Sequence, residues 1–589
     1  MFFLNNLPYF LFSFIMANCF YISLISTFSL FNIFPNFDFY QYFYLIQTGL
    51  FIFTLIIFKR YRKNFLVNYY QLSSVLYLFI PYLIIIILRW PIYTKVHDDL
   101  TYYLVAGEYT KNLWTNPHVF PTYAIYLYNS LPLYYHSLIE FLGLRLTLLI
   151  SMLSLSIWMV SLNLRFKKLV KNRFQKYLLD FFFISFPFWP HLMAIHGMFM
   201  ADFFSLVFIL EAFYQFISKN NDKTFAFISL VIAGLVKQSS IFFVIPVFLY
   251  LIIKNFKKIN WVKALLFIFI ILTYFIRLYF EVGNPLLGGL FNSIFKSPIT
   301  SSEGSFGLGI PFGGKNFWQK LSWPIIAQVM PGFAEGFVSK PAKYYFTIFL
   351  AIPYLFLWLN IFWEKSFLAI VVLFSLLFWS FYIGYARWVI PLIAISWIYM
   401  ITQLDAIKKI KLNKVSLRIL YFIVIIISLT SIKTDFGWRP YHNLPFFKQL
   451  YIEGWQLVGH DRWVDIKKDF QGEFDGYEVV SPVRSEKAFF YSYIGYLYGL
   501  KIIHSMPKGY YERLLSSPKI SKSFKEKIKN LLAAKKILLV VDTMSVQEDY
   551  VKESFIYQKY HCHRIGNFHD IKTIQFSSFS TIVKYKCLM

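Results

Sequence analysis

Residues 96 to 103 read VHDDLTYY. Two adjacent carboxylates of this kind can take a proton from an attacking hydroxyl or hold a cation. Asp98 and Asp99 come directly after VLYLFIPYLIIIILRW, an apolar run of about bilayer length. Tyr102, Val105, Ala106, Tyr109 and Leu113 then recur at helical spacing, which predicts an amphipathic helix at the interface. The plainer role for Asp98 or Asp99 is the N-cap of that helix. Asp202, Lys237 and Arg387 also stand where an apolar run meets the same side. Cations at that level suit a lipid-borne phosphate, whose tail stays in hydrocarbon while its charge lies at the interface. The plainer alternatives are an N-cap for Asp202 and snorkelling from a helix end for Lys237. Glu211 lies nine residues after Asp202, about 14 Å along a helix. An acid inside a span is either functional or half of a buried pair.

Metal and nucleotide chemistry have thinner support. His97, His191 and His196 lie near carboxylates but fit no zinc spacing, so a divalent cation is the one cofactor the residues leave room for. The triplet His561, Cys562, His563, together with Cys587, fits either a zinc site or a disulfide. GIPFGGKN, from Gly309 to Asn316, matches G-x-x-x-x-G-K but ends in Asn where Ser or Thr would hold magnesium. No apolar strand precedes it, so a loop or lid is the better reading.

These residues need a membrane frame to position them. Of 589 residues, 58% are hydrophobic and only 15% charged, more apolar surface than a soluble fold can bury. The net charge of +28 sits mostly in short loops, which points away from nucleic acid and towards membrane topology. Apolar runs predict about thirteen spans, at 8–34, 41–58, 73–90, 144–163, 178–196, 202–218, 224–238, 240–254, 264–280, 343–362, 366–383, 388–404 and 416–433. KRYRK, RFKKLVKNRFQK, KNFKK and KKIKLNK all fall on one side if each run crosses once. That side is cytoplasmic, so the N-terminus is inside and the C-terminus outside. The first run lacks a basic n-region and a small-residue cleavage site, and is expected to be an anchor.

The expected organisation is an N-terminal transmembrane hairpin (1–65), a transmembrane core (66–433) and an extracytoplasmic domain (434–589). The core carries external loops at 91–143 and 281–342. The tail alternates GYEVVS, a helical SKSFKEKIKNLLAAKK, ILLVVD and FSTIVKYK, which predicts a small α/β domain.

The order of motifs across residues 73–404 resembles the GT-C glycosyltransferases, the superfamily of protein O-mannosyltransferases and lipid A aminoarabinose transferases. The matching residues are Asp98 with Asp99 and Tyr102, Pro132 to Tyr135 with Arg145, Asp202, Lys237, and Arg387 with Pro391. Asp99 stands in place of a Glu, Trp388 in place of a Tyr, and two extra spans precede the motif. The resemblance implies a polytopic α-helical membrane protein of GT-C-like fold. It implies an inverting glycosyltransferase that moves a sugar from a polyprenyl-phosphate donor to a lipid, glycan or protein acceptor, with membrane lipids and no nucleic acid among its partners. The expected catalytic residues are Asp98, as general base, with Asp99 and Asp202. Lys237 and Arg387 are expected to bind the donor phosphate, and Tyr102, Tyr134, Tyr135 and Arg145 to make the other substrate contacts. The expected location is the bacterial inner membrane. Competing readings are a multi-span transporter or lipid flippase and a surface-polysaccharide polymerase or ligase.

Overall fold

The structure is a computed structural model. It describes most of residues 2–65, and 72–89, 130–185, 201–237, 241–282, 316–326, 340–364, 366–382 and 386–404, together with five strands between 478 and 588 and a few single residues. The helices are α1 (Phe2–Phe31), α2 (Phe43–Ile57), α3 (Leu72–Arg89), α4 (Ser130–Phe166), α5 (Arg173–Ser185), α6 (Ala201–Ile217) and α7 (Thr224–Val236). They continue as α8 (Ile245–Lys254), α9 (Trp261–Val282), α10 (Phe317–Ile326), α11 (Lys340–Glu364), α12 (Phe367–Tyr382) and α13 (Ala386–Gln403). Among the described residues, four segments are long and apolar enough to cross a membrane: Asn6–Phe31, Phe43–Arg62, Leu146–Phe166 and Trp261–Phe280. Their outer faces stay apolar, as with Val262, Leu266 and Phe269 on α9, which suits lipid as the surrounding solvent.

Hydrogen bonds and ion pairs gather the basic connections at one end of the bundle. Arg62 Nε donates to Asn6 Oδ1 at 2.8 Å, which brings the start of α1 beside the end of α2. Arg60 pairs with Asp222 at 2.6 Å, and the Lys223 amide donates to the Lys258 carbonyl. Gln175 Nε2 donates to the Ile401 carbonyl at 3.0 Å, which adds the end of α13. The Arg165 guanidinium lies over the Phe65 ring at 5.6 Å, so KRYRK, RFKKLVKNRFQK and KNFKK share one end, as the charge pattern predicts. Residues 408–414, KKIKLNK, lie outside the described residues, as does the expected span 416–433.

Three elements differ from the sequence expectation. The runs 224–238 and 240–254 form helices of 13 and 10 residues. Each covers about 15–20 Å at 1.5 Å per residue, short of a ~30 Å crossing. The expected loop 91–143 ends earlier, because α4 begins at Ser130. α4 also cannot be straight: Tyr134 and Ser151 would lie about 25 Å apart on a straight helix, yet Tyr134 Oη and Ser151 Oγ are 3.1 Å apart. The chain must therefore double back between them. Finally, α10 falls inside the expected loop 281–342.

α1 runs through the bundle interior. Phe12, Ile15, Met16 and Tyr21 are fully buried, and the Phe12 ring meets Phe225 of α7 at 4.9 Å between centroids. Gln47 of α2 donates to Asn18 Oδ1 at 2.6 Å and to Ser137 Oγ at 2.7 Å, tying α1, α2 and α4 through buried polar groups.

The C-terminal strands form one mixed sheet in the order β2-β1-β3-β5-β4. They are β1 (Glu478–Pro482), β2 (Ile502–Ser505), β3 (Lys536–Asp542), β4 (His561–Asn567) and β5 (Ile582–Leu588). β1 is parallel to β2 and β3, whereas β5 runs antiparallel between β3 and β4. β1, β3 and β5 coincide with the strand-like segments of the sequence. Lys522, Lys525, Glu526 and Lys529, from the expected helix, are helical.

Candidate functional site

Asp202 stands in the first turn of α6, and Lys237 directly follows α7. Lys237 Nζ contacts Asp202 Oδ1 as an ion pair without aligned hydrogen-bond geometry. The Asp202 side chain is 4% exposed and that of Lys237 13%. The carboxylate therefore sits at the positive end of a helix dipole, beside a cation that still reaches solvent. One turn further along α6, Ser205 Oγ donates to the Ala233 carbonyl at 3.1 Å and holds the last turn of α7. Gly234 makes this hairpin end close-packed: a Cβ there would lie 2.9 Å from Ile241 Cδ1. The Gly-Leu-Val-Lys stretch thus brings the chain tightly back on itself just before its cation. α6 and α7 have their other ends at the basic connections, so this pair marks the opposite end of the bundle.

Nine residues along α6, Glu211 is fully buried on the opposite face of the helix. Arg165, at the end of α4, grips it with two bonds, Nη1 to Oε1 at 2.7 Å and Nη2 to Oε2 at 2.5 Å. Trp158 Nε1 donates to Oε2 and Gln215 Nε2 to Oε1, both at 2.8 Å. The guanidinium also lies over the rings of Phe65 and Tyr214, at 5.6 and 5.0 Å. Four donors on two oxygens leave this carboxylate no room for chemistry, and Glu211 is a structural clamp. Sequence reasoning missed Arg165 because it opens the basic run RFKKLVKNRFQK and reads as a loop residue. The available signal was its position: it still falls within the apolar period of the preceding span.

Tyr134 and Tyr135 are each 1% exposed. Tyr134 spends its hydroxyl on Ser151 and packs edge-on against Phe14 and Phe204, so its described role is packing. Asn316, the misfit of the phosphate-loop pattern, has a structural explanation. Its Oδ1 accepts from the Gln319 amide at 2.8 Å while Gln319 Oε1 accepts from the Asn316 amide at 3.2 Å, a reciprocal cap for α10. Arg387 belongs to the first turn of α13, which packs on α6, and Arg145 to α4; their side chains lie outside the described residues. Asp98, Asp99, Tyr102, His97, His191 and His196 also lie outside them. No three His, Cys, Asp or Glu side chains come together as a metal site among the described residues. Cys562 is disulfide-bonded, which favours the disulfide reading of the HCH segment over zinc.

No family model matches the chain, and no curated protein matches it significantly. Among solved structures it is similar to ArnT from Cupriavidus metallidurans bound to undecaprenyl phosphate, with a TM-score of 0.45 and 10% identity over 87% of this chain and 98% of that one. It is also similar to the Archaeoglobus fulgidus oligosaccharyltransferase in the apo form, with a TM-score of 0.40 and 13% identity over 80% and 69% of the two chains. A third is AglB from the same organism in complex with an inhibitory peptide and a dolichol-phosphate, with a TM-score of 0.39 and 12% identity over 82% and 71%. At these scores no residue role is carried from them to this chain.

Proposed function

We propose that the chain is an inverting glycosyltransferase. It moves a sugar from a polyprenyl-phosphate donor to a lipid, glycan or protein acceptor at the external face of a bacterial inner membrane. The observation that carries this reading is the Asp202–Lys237 pair, a carboxylate and a partly accessible ammonium at the bundle end away from the basic loops. Under the positive-inside rule that end is external, and the acidic motif at Asp98 and Asp99 follows α3 there.

In this reading Lys237 and Arg387 hold the donor phosphate and stabilise its charge as the sugar leaves. Asp98 takes the proton of the acceptor hydroxyl as that oxygen attacks the anomeric carbon, with Asp99 beside it. Attack from the face opposite the leaving phosphate inverts the anomeric centre. Tyr102 and Arg145 contact substrate, and the C-terminal α/β domain lies on the same side of the membrane. Asp202 holds Lys237 in place and gives it up when the lipid phosphate arrives.

One observation favours the flippase alternative: the short helices α7 and α8 are the kind of broken element transporters use at their sites. Purified protein in liposomes, given a radiolabelled polyprenyl-phosphate sugar and an envelope extract, separates the two. Label appearing in an acceptor supports the transferase. Label crossing the bilayer while still on its polyprenyl carrier supports the flippase and sinks the proposal.

A further inference from the structure

The three cysteines of the chain occupy two different settings. Cys19 is free and buried within α1, in the helical bundle. Cys562 is disulfide-bonded and lies on β4, whose register with β5 sets it directly opposite Cys587. Directly paired residues of antiparallel strands have Cα atoms about 4.5 or 5.5 Å apart, and both spacings fall inside the range a disulfide accepts.

β4 is also the strand most in need of a fastening. Among the described strands it is at the edge, with β5 as its one neighbour in the sheet. Its register shifts between Arg564 and Gly566. His561, His563 and Arg564 are exposed, so little apolar burial holds its first half. An edge with free backbone groups and few core contacts frays readily.

We infer that Cys562 and Cys587 are a modification site, oxidised to a cross-strand disulfide by a thiol oxidase on the non-cytoplasmic side, and that this bond pins β4 to the sheet. The chemistry balances with a dithiol–disulfide oxidase as partner. The two thiols lose two protons and two electrons, and the oxidase's own disulfide is reduced to a dithiol. Such bonds persist in oxidising compartments and are rare in a reducing cytosol. The choice of side rests on the topology given under the proposed function, whereas the bond itself does not.

The test counts thiols on the full-length protein from membranes, denatured in the presence of a maleimide-polyethylene glycol that adds a visible step per thiol. One step is expected without reductant, from Cys19, and three after reduction. Cys562→Ser should give two steps without reductant, from Cys19 and Cys587. Three steps in the unreduced wild type, or a disulfide-linked dimer on a non-reducing gel, would overturn the inference. In cells lacking the thiol oxidase, unreduced protein should also give three steps, and its C-terminal region should lose protease resistance. Protease resistance unchanged despite three free thiols would overturn the role given to the bond. An unreduced wild type that shows three free thiols and still transfers sugar would leave the proposed function standing while the disulfide inference fell.

Discussion

Helix α6 carries two buried acids on opposite faces, and they are treated differently. Glu211 is closed in by four hydrogen bonds, two of them from an Arg165 that is itself 1% exposed. Among the described residues Asp202 has one cationic neighbour, Lys237, whose side chain keeps some contact with solvent. A carboxylate whose lone pairs are all filled by fixed donors is held for good, while one facing a single mobile ammonium can change partners. Under the proposed function, the contrast puts structure at one end of α6 and chemistry at the other.

The largest effect that tests this contrast is on stability. Glu211→Ala leaves Arg165 buried without its counter-charge and should cost about 3–5 kcal/mol in a thermal or denaturant unfolding assay in detergent. The double variant Arg165→Met/Glu211→Leu should recover most of that loss, because an apolar pair of similar volume removes both desolvation penalties. A single variant as stable as the wild type would mean the clamp is not formed.

A substitution at the other acid should act on binding instead. Asp202→Asn removes the internal competitor for Lys237, so polyprenyl phosphate should bind roughly tenfold tighter, as expected from about 1.4 kcal/mol of lost competition. Stability should fall by less than the about 3–5 kcal/mol expected for Glu211→Ala, since the Lys237 side chain keeps some contact with water. Unchanged or weaker binding of the lipid phosphate would show that the pair does not exchange.

A third test concerns the basic end. Lys223 is 1% exposed and donates to the Gln215 and Ser218 carbonyls at the end of α6, at 2.7 and 2.6 Å. Burial, aided by the nearby Lys258, pulls its ammonium down to about 8. A folded pKa below the unfolded one means the unfolded chain binds more protons between the two values, so stability rises with pH across that window. The neutral amine keeps two N–H groups, enough for both carbonyls. Melting temperatures from pH 8 to 9.5 should show a gain on the order of 1–2 kcal/mol that Lys223→Gln lacks. A flat or falling profile in the wild type would contradict this.

The smallest effect separates packing from substrate contact. Tyr134→Phe should cost about 1 kcal/mol of stability, through loss of the bond to Ser151, and leave transfer kinetics unchanged. A large change in turnover would return Tyr134 to the substrate contacts that the sequence resemblance implies.

Much of the frame was legible because bilayer physics is coarse. A long apolar run has to be a helix, and unbalanced Lys and Arg mark a side, so the gathering of Arg60, Lys223 and Lys258 at one end followed from composition alone. What periodicity could not show was where a helix doubles back or stops short. The reversal in α4 and the brevity of α7 and α8 are set by tertiary contacts such as Tyr134 with Ser151 and Gly234 against Ile241. At the site, residue type and level were readable for Asp202 and Lys237, but their pairing was not. Each was given its own role, because a charge at a span end looks the same whether its partner is a ligand or a side chain. Arg165 was hidden for the opposite reason, by looking like its basic neighbours. In the tail, β2 has only four residues and β4, HCHRIGN, is largely polar, so no alternation announces either.

The central claim is that Lys237 is a receptor for the phosphate of a polyprenyl lipid. The most direct measurement is binding of radiolabelled polyprenyl phosphate to the full chain in nanodiscs, comparing wild type with Lys237→Ala, since it needs neither the donor sugar nor the acceptor. A charge-assisted contact worth about 1.5–3 kcal/mol predicts binding weakened ten- to a hundredfold in the variant. Equal binding by a folded Lys237→Ala protein, or no saturable binding by the wild type, would contradict the account.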